Sequence, residues 1–174
     1  MTPIGGPAKF PDMRIICDDN LGKLASYLRI LGYDTLFEEN IDDSSLLKTA
    51  SADKRILLTR DRKLASRSHP FGFFLIEDDD PLQQLNAVIV GLDMKIDPEN
   101  LFDRCSRCNR ICEVVDKERI KEEVFPFILK TQEVIKRCPS CRRYYWKGSH
   151  YKNILKKLIE VIPEKSLTGP WPEF

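Results

Sequence analysis

The sequence predicts an α/β fold, a parallel sheet flanked by helices, followed by a small cysteine-rich unit. Three observations carry this expectation. Short apolar runs alternate with helical patterns four times between residues 13 and 91. The runs are continuously apolar rather than alternating, as in strands covered on both faces. Five of the six cysteines fall between positions 105 and 141.

Each element has its own local reason. Met13 to Cys17 reads as a strand ending at Asp18-Asp19. Leu21, Leu24, Leu28 and Leu31 then recur on one helical face, and Gly32 is a natural stop. Asp34 to Phe37 is a second strand. Asp42-Asp43 stand where an N-cap belongs, ahead of a helix over 44–53 with Leu46, Leu47 and Ala50 inward. Arg55 to Thr59 is a third strand, followed by Arg60-Asp61 and a short helix over 62–67. Phe71 to Ile76 is a fourth strand, ending in Glu77-Asp78-Asp79-Asp80. Pro81 opens a helix running to about Gly91.

The chain has 174 residues and a net charge of +1, with 42% hydrophobic and 32% charged residues, figures typical of globular proteins. No apolar run approaches the roughly 20 residues that span a bilayer, so no membrane association is expected. Residues 1–10 are Gly/Pro-rich without an apolar signal core, which predicts a cytoplasmic protein. The charge is unevenly divided. Residues 1–102 carry 12 basic and 17 acidic side chains (−5), and 103–160 carry 15 basic and 8 acidic (+7). The expected organisation is an α/β domain over 11–100, a cysteine-rich unit with a final helix over 101–162, and a loosely held tail over 163–174. An acidic unit suits metal cations; a basic one suits a polyanion such as nucleic acid.

In open parallel sheets, ligands bind at the carboxyl ends of strands. Three of the four strand ends here deliver acid, and Asp42 and Asp43 open the helix after the remaining one. Asp18, Asp43 and Asp61 would converge on one edge. Carboxylates about 4.5 Å apart repel by roughly 3–4 kcal/mol at an effective dielectric near 20. Such a cluster takes up protons or a divalent cation, and oxygen ligands favour Mg²⁺ or Mn²⁺. Each acid also has a plainer role open to it. Asp43 and Asp61 are natural helix caps, and Asp78 to Asp80 suit a solvated turn before Pro81.

Several strings are recognisable together: Asp18-Asp19-Asn20-Leu21-Gly22-Lys23-Leu24-Ala25, Tyr27-Leu28-Arg29, Leu31-Gly32-Tyr33-Asp34-Thr35, Ile41-Asp42-Asp43 with Leu46-Leu47, and Arg55-Ile-Leu-Leu-Thr-Arg-Asp61 with Leu64. In these the chain resembles the Mut-seven C-terminal RNase domain family over about residues 13–151. The resemblance implies a metal-dependent RNase with a PIN-like α/β fold and an appended zinc ribbon. It maps the catalytic acids onto Asp18, Asp43 and Asp61, with Asp42 as the competing register for Asp43. It makes Lys23 and Arg60 phosphate contacts, and leaves Asp79 or Asp80 as the nearest candidates for a fourth acid.

Cys105/Cys108 and Cys138/Cys141 form two C-x-x-C pairs separated by 29 residues, a pattern that predicts a structural Cys₄ zinc site. Asn109 follows the first pair where the backbone often needs positive φ; Arg142 stands at the matching place, where Gly is commoner. Cys112 is read as a nearby non-ligand and Cys17 as a small buried hydrophobe. A charged helical stretch is expected in the insert, 116–134. Arg142 to Tyr151 interleaves cations with aromatics, as suits single-stranded RNA, with Arg142 and Arg143 meeting phosphates. The alternative is that Tyr144 or Trp146 packs the ribbon. His150 has no role assigned by its position after Ser149, a good N-cap. The final helix is expected to bury Tyr151, Ile154, Leu155, Leu158 and Ile159. The leading functional expectation is an RNA-cleaving, divalent-metal phosphodiesterase; the alternative is a non-catalytic RNA-binding or adaptor protein.

Overall fold

The computed structural model describes residues 13–67 and 69–172. The Gly/Pro-rich start lies outside these residues. Four strands, β1 (Arg14–Cys17), β2 (Asp34–Phe37), β3 (Ile56–Thr59) and β4 (Phe73–Leu75), form a wholly parallel sheet in the order β2-β1-β3-β4. The connecting helices are α1 (Gly22–Ile30), α2 (Asp43–Ala52) and α3 (Arg62–Ala65), and α4 (Pro81–Gly91) follows the last strand. β4 is shorter than its apolar run because Gly72, at φ +91°, turns the chain immediately before it.

Strand side chains alternate between two buried layers, which is why the runs are apolar throughout. Ile15, Cys17 and Leu58 pack with Leu24 and Leu28 of α1 and with Leu85, Val88 and Ile89 of α4. Ile16 and Leu57 face the other way, onto Leu46 and Ala50 of α2 and Leu64 of α3. Each fully buried Leu or Ile contributes about 1.5–3 kcal/mol relative to exposure. α1 stops where Gly32 turns to φ +94°, and its amide and that of Tyr33 reach back to the Arg29 and Leu28 carbonyls.

The second unit is a three-stranded antiparallel sheet, β5 (Glu113–Val114), β6 (Lys136–Arg137) and β7 (Tyr144–Tyr145), with four clustered cysteines in the form of a zinc ribbon. The insert between β5 and β6 holds a 3-10 turn (Lys117–Ile120) and α5 (Pro126–Thr131). Ile120, Val124 and Ile135 form a small core there, and Tyr144 and Trp146 pack against it. Both rings therefore have a packing role.

The final helix, α6 (Ser149–Ile159), docks Leu155 and Leu158 into the layer formed by α1 and α4, with Tyr151 and Ile154 at its margin. Three expectations need correcting. Ile159 is 42% exposed, because the helix turns it past the docking stripe. Ser149 is the first helical residue and Gly148 the N-cap, with no side-chain cap bond. Residues 163–172, read as a loose tail, run beside Ile96: the Ile96 amide donates to Ser166 and the Thr168 amide to Ile96. Leu167 and Trp171 pack on the main core, an apolar contact that composition alone does not reveal. Among the described residues, no helix is long and apolar enough to cross a membrane.

Candidate functional site

The chain leaves β1 to enter β2 on one side and, after α2, enters β3 on the other side of β1. The carboxyl ends of β1 and β3 therefore form the switch point of the sheet, the place where open α/β folds bind ligands. Asp18 follows β1 directly and its amide donates to the Leu58 carbonyl of β3 at 3.0 Å. Asp61 lies two residues beyond the end of β3. Thr59, fully buried, joins them: its hydroxyl donates to Asp18 Oδ2 at 2.6 Å and accepts the Asp61 amide at 3.0 Å. Thr59 was not singled out from sequence. Its signal was a polar side chain closing an apolar strand just before an acid.

The other acids have local partners. Asp18 Oδ1 also accepts the Asp19 amide at 2.8 Å. Asp61 caps α3 through Oδ1, accepting the Lys63 and Leu64 amides at 2.6 and 3.2 Å. Asp42 is the N-cap of α2, bonded to the Ser45 amide and hydroxyl. Asp43 sits in the first turn, half-exposed, 3.1 Å from Arg67. Asp80 caps α4, and Asp79 pairs with Arg60. Lys23 stands over the Tyr27 ring at 5.3 Å. A cavity of about 420 Å³, lined by Asp19, Gly22, Phe37, Glu39 and Asn40, opens at the same end of the sheet. The structure thus links Asp18 to Asp61, while Asp43, Asp79 and Asp80 are engaged elsewhere along that edge.

The cysteines are arranged differently. Cys105, Cys108, Cys138 and Cys141 place their sulfurs within 4.8 Å of one another; among the described residues this is the one such group of three or more Cys, His, Asp or Glu. The Cys105–Cys141 separation, 3.7 Å, matches the edge of a tetrahedron with Zn–S bonds near 2.3 Å. Both knuckles are the same turn. The Asn109 and Arg142 amides donate back to Cys105 and Cys138 at 3.0 Å, and each residue takes positive φ, 64° and 62°. Cys112 packs beside the four without joining them. Cys17 is fully buried in β1, and burial pushes its thiol up to about 12, as for an inert core residue.

A family model described as the Mut7-C RNAse domain matches residues 13–158. The chain belongs to the Mut7-C RNAse domain family. Searches of curated proteins and of solved structures each found no match.

How this Mut7-C domain holds its two units together was not legible in the sequence. Arg29, buried at the end of α1, donates to the Thr35 carbonyl at 2.8 Å and to the Ser106 and Arg107 carbonyls at 3.1 and 2.8 Å. Those last two lie inside the first knuckle. Asn109 accepts the Thr35 amide at 2.9 Å and donates to Asp34 at 2.7 Å. Arg55 donates to the same Asp34 oxygen at 2.7 Å. Burial pushes the Asp34 carboxyl up, but Arg55, Asn109 and Arg104 outweigh it and hold it below its ordinary value. All these contacts gather where β2 and β3 begin. The knuckle therefore docks at the end of the sheet opposite to Asp18 and Asp61.

Proposed function

We propose that this protein is a divalent-metal-dependent ribonuclease that hydrolyses single-stranded RNA at the switch point of its sheet, with a structural zinc in the ribbon. The observation that carries the reading is the pair of carboxylates, Asp18 and Asp61, placed at the ends of adjacent strands, with the buried Thr59 hydroxyl bonded to the Asp18 carboxylate and to the Asp61 backbone amide. Their oxygens are the hard donors that Mg²⁺ or Mn²⁺ takes, and Asp43 joins them by exchanging its Arg67 partner. The metal, when bound, neutralises charge on the phosphate and lowers the pKa of water. Asp18 and Asp61 would hold the metal, and Lys23 and Arg60 would meet the phosphate. Asp79 supplies a fourth acid once Arg60 turns from it to RNA. The PIN-like reading of the fold rests on the same parallel sheet with acids at its carboxyl edge.

The four cysteines bind zinc and hold both knuckles closed. Arg142 and Arg143, beside the second knuckle, hold the RNA backbone. Because the first knuckle docks at the far end, the strand between the two sites follows the length of the sheet, about 13 Å for four residues at roughly 3.3 Å each. The test is cleavage of labelled single-stranded RNA by the purified chain with Mn²⁺. Activity is expected to need the metal, to stop with EDTA, and to fall at least ~100-fold in Asp61→Asn while zinc content is unchanged, the loss typical of removing a catalytic electrostatic contact. Binding without cleavage, identical in the variant, would replace this reading with a non-catalytic RNA-binding domain.

A further inference from the structure

A cavity of about 570 Å³ lies between the ribbon, its insert and the start of α6. Its size is that of a small-ligand pocket. The rings of Phe102, Phe125, Trp146 and Tyr151 line it, with Arg143 and His150 at the same opening. Phe125 is 81% exposed, a large apolar surface left to solvent at the mouth. Phe102 and Tyr151 pack as a tilted pair, ring centroids 4.4 Å apart. The one acid in the lining, Glu123, is already matched: Arg137 pairs with it at 3.1 Å and the Tyr144 hydroxyl donates to it at 2.8 Å. Gly148 caps α6 without a side chain, so the first amides of this 11-residue helix reinforce the positive side of the opening.

We infer that this cavity is a nucleotide subsite for single-stranded RNA: a base stacks among the rings, and its phosphate meets Arg143 and the start of α6. The inference rests on the RNA reading above and deepens it. Aromatic faces accept any base, and the cations meet the backbone. The charge argues for a polyanion: residues 103–160 carry +7 against −5 for residues 1–102. The subsite lies beside Ile30, at the end of α1 remote from Asp18 and Asp61. It therefore grips a nucleotide several positions from the bond that is cut, and short RNAs cannot occupy both sites.

The experiment measures anisotropy of a labelled single-stranded oligoribonucleotide with the full zinc-loaded chain carrying Asp61→Asn, which keeps the RNA intact. Adding Phe125→Ala or Phe125→Leu is expected to weaken binding at least ~5-fold, the loss of one stacking face. The leucine keeps apolar bulk and so controls for packing. Adding Arg143→Ala is expected to weaken binding and reduce the slope of log K against log salt by about 0.7, one phosphate contact. Affinity and slope unchanged in all three variants, with zinc retained, would overturn the subsite and point to a protein occupant. Pocket-dependent binding by a wild-type chain that cuts no RNA would overturn the catalytic reading alone and leave the subsite standing.

Discussion

Thr59 shows how much one side chain decides at the residue scale. Its hydroxyl is the shared partner of Asp18 and of the Asp61 amide, and no water competes for it because it is fully buried. Thr59→Val keeps the shape and removes both bonds, leaving a polar group without its partner at a cost of about 1–3 kcal/mol. The expected result is a lower Tm and a reduced kcat with little change in KM, restored by Thr59→Ser. A Tm loss with kcat intact would make Thr59 purely structural. Asp34 acts through charge. Its carboxyl is held below its ordinary value when folded, so it stabilises the protein above the unfolded value of about 3.9. That contribution disappears as pH falls through the folded value. Urea unfolding across pH should show wild type more stable than Asp34→Asn at neutral pH, with the difference closing below about pH 4. A difference independent of pH would locate the effect in hydrogen bonding instead.

At the scale of elements, the two knuckles are the same turn made by unrelated residues. Asn109 and Arg142 both adopt positive φ after their second cysteine. Asn does this readily; Arg does so under strain, and the fold accepts it because the turn closes the sulfur cluster. A structural zinc contributes on the order of 10 kcal/mol to folding. Chelation should therefore release one zinc per chain, open the ribbon and shift the fluorescence of Trp146, which packs on the Ile120–Val124–Ile135 cluster. Cys105→Ser should abolish zinc retention in a metal assay, while Cys112→Ser should keep it. Retained zinc in Cys105→Ser would remove that sulfur from the ligand set. These elements were legible because each is local: apolar runs of four residues, helical spacing, capping acids and C-x-x-C pairs. The helix caps show the boundary of that legibility. Asp42 rather than Asp43 caps α2, a choice between adjacent acids that depends on which one reaches Ser45.

The whole molecule is a sheet with different business at its two ends. The carboxyl ends of the strands present Asp18 and Asp61; the opposite end carries the knuckle, held by Arg29, Asp34, Arg55 and Asn109. The division of charge along the chain was readable, and so was the family resemblance, because both need only the order of residues. The sequence by itself determined which segments become strands and helices, which cysteines form knuckles, and that acids follow apolar strands, since these follow from neighbours a few positions apart. Only the tertiary structure decided that Asp18 and Asp61 share Thr59 across 41 positions, and that Asn109 reaches Asp34 across 75. Such contacts depend on strand order and on the docking of one unit against another. Buried hydrogen bonds between distant residues leave no periodic trace in a sequence, because each partner is chosen by geometry that exists only after the chain has folded.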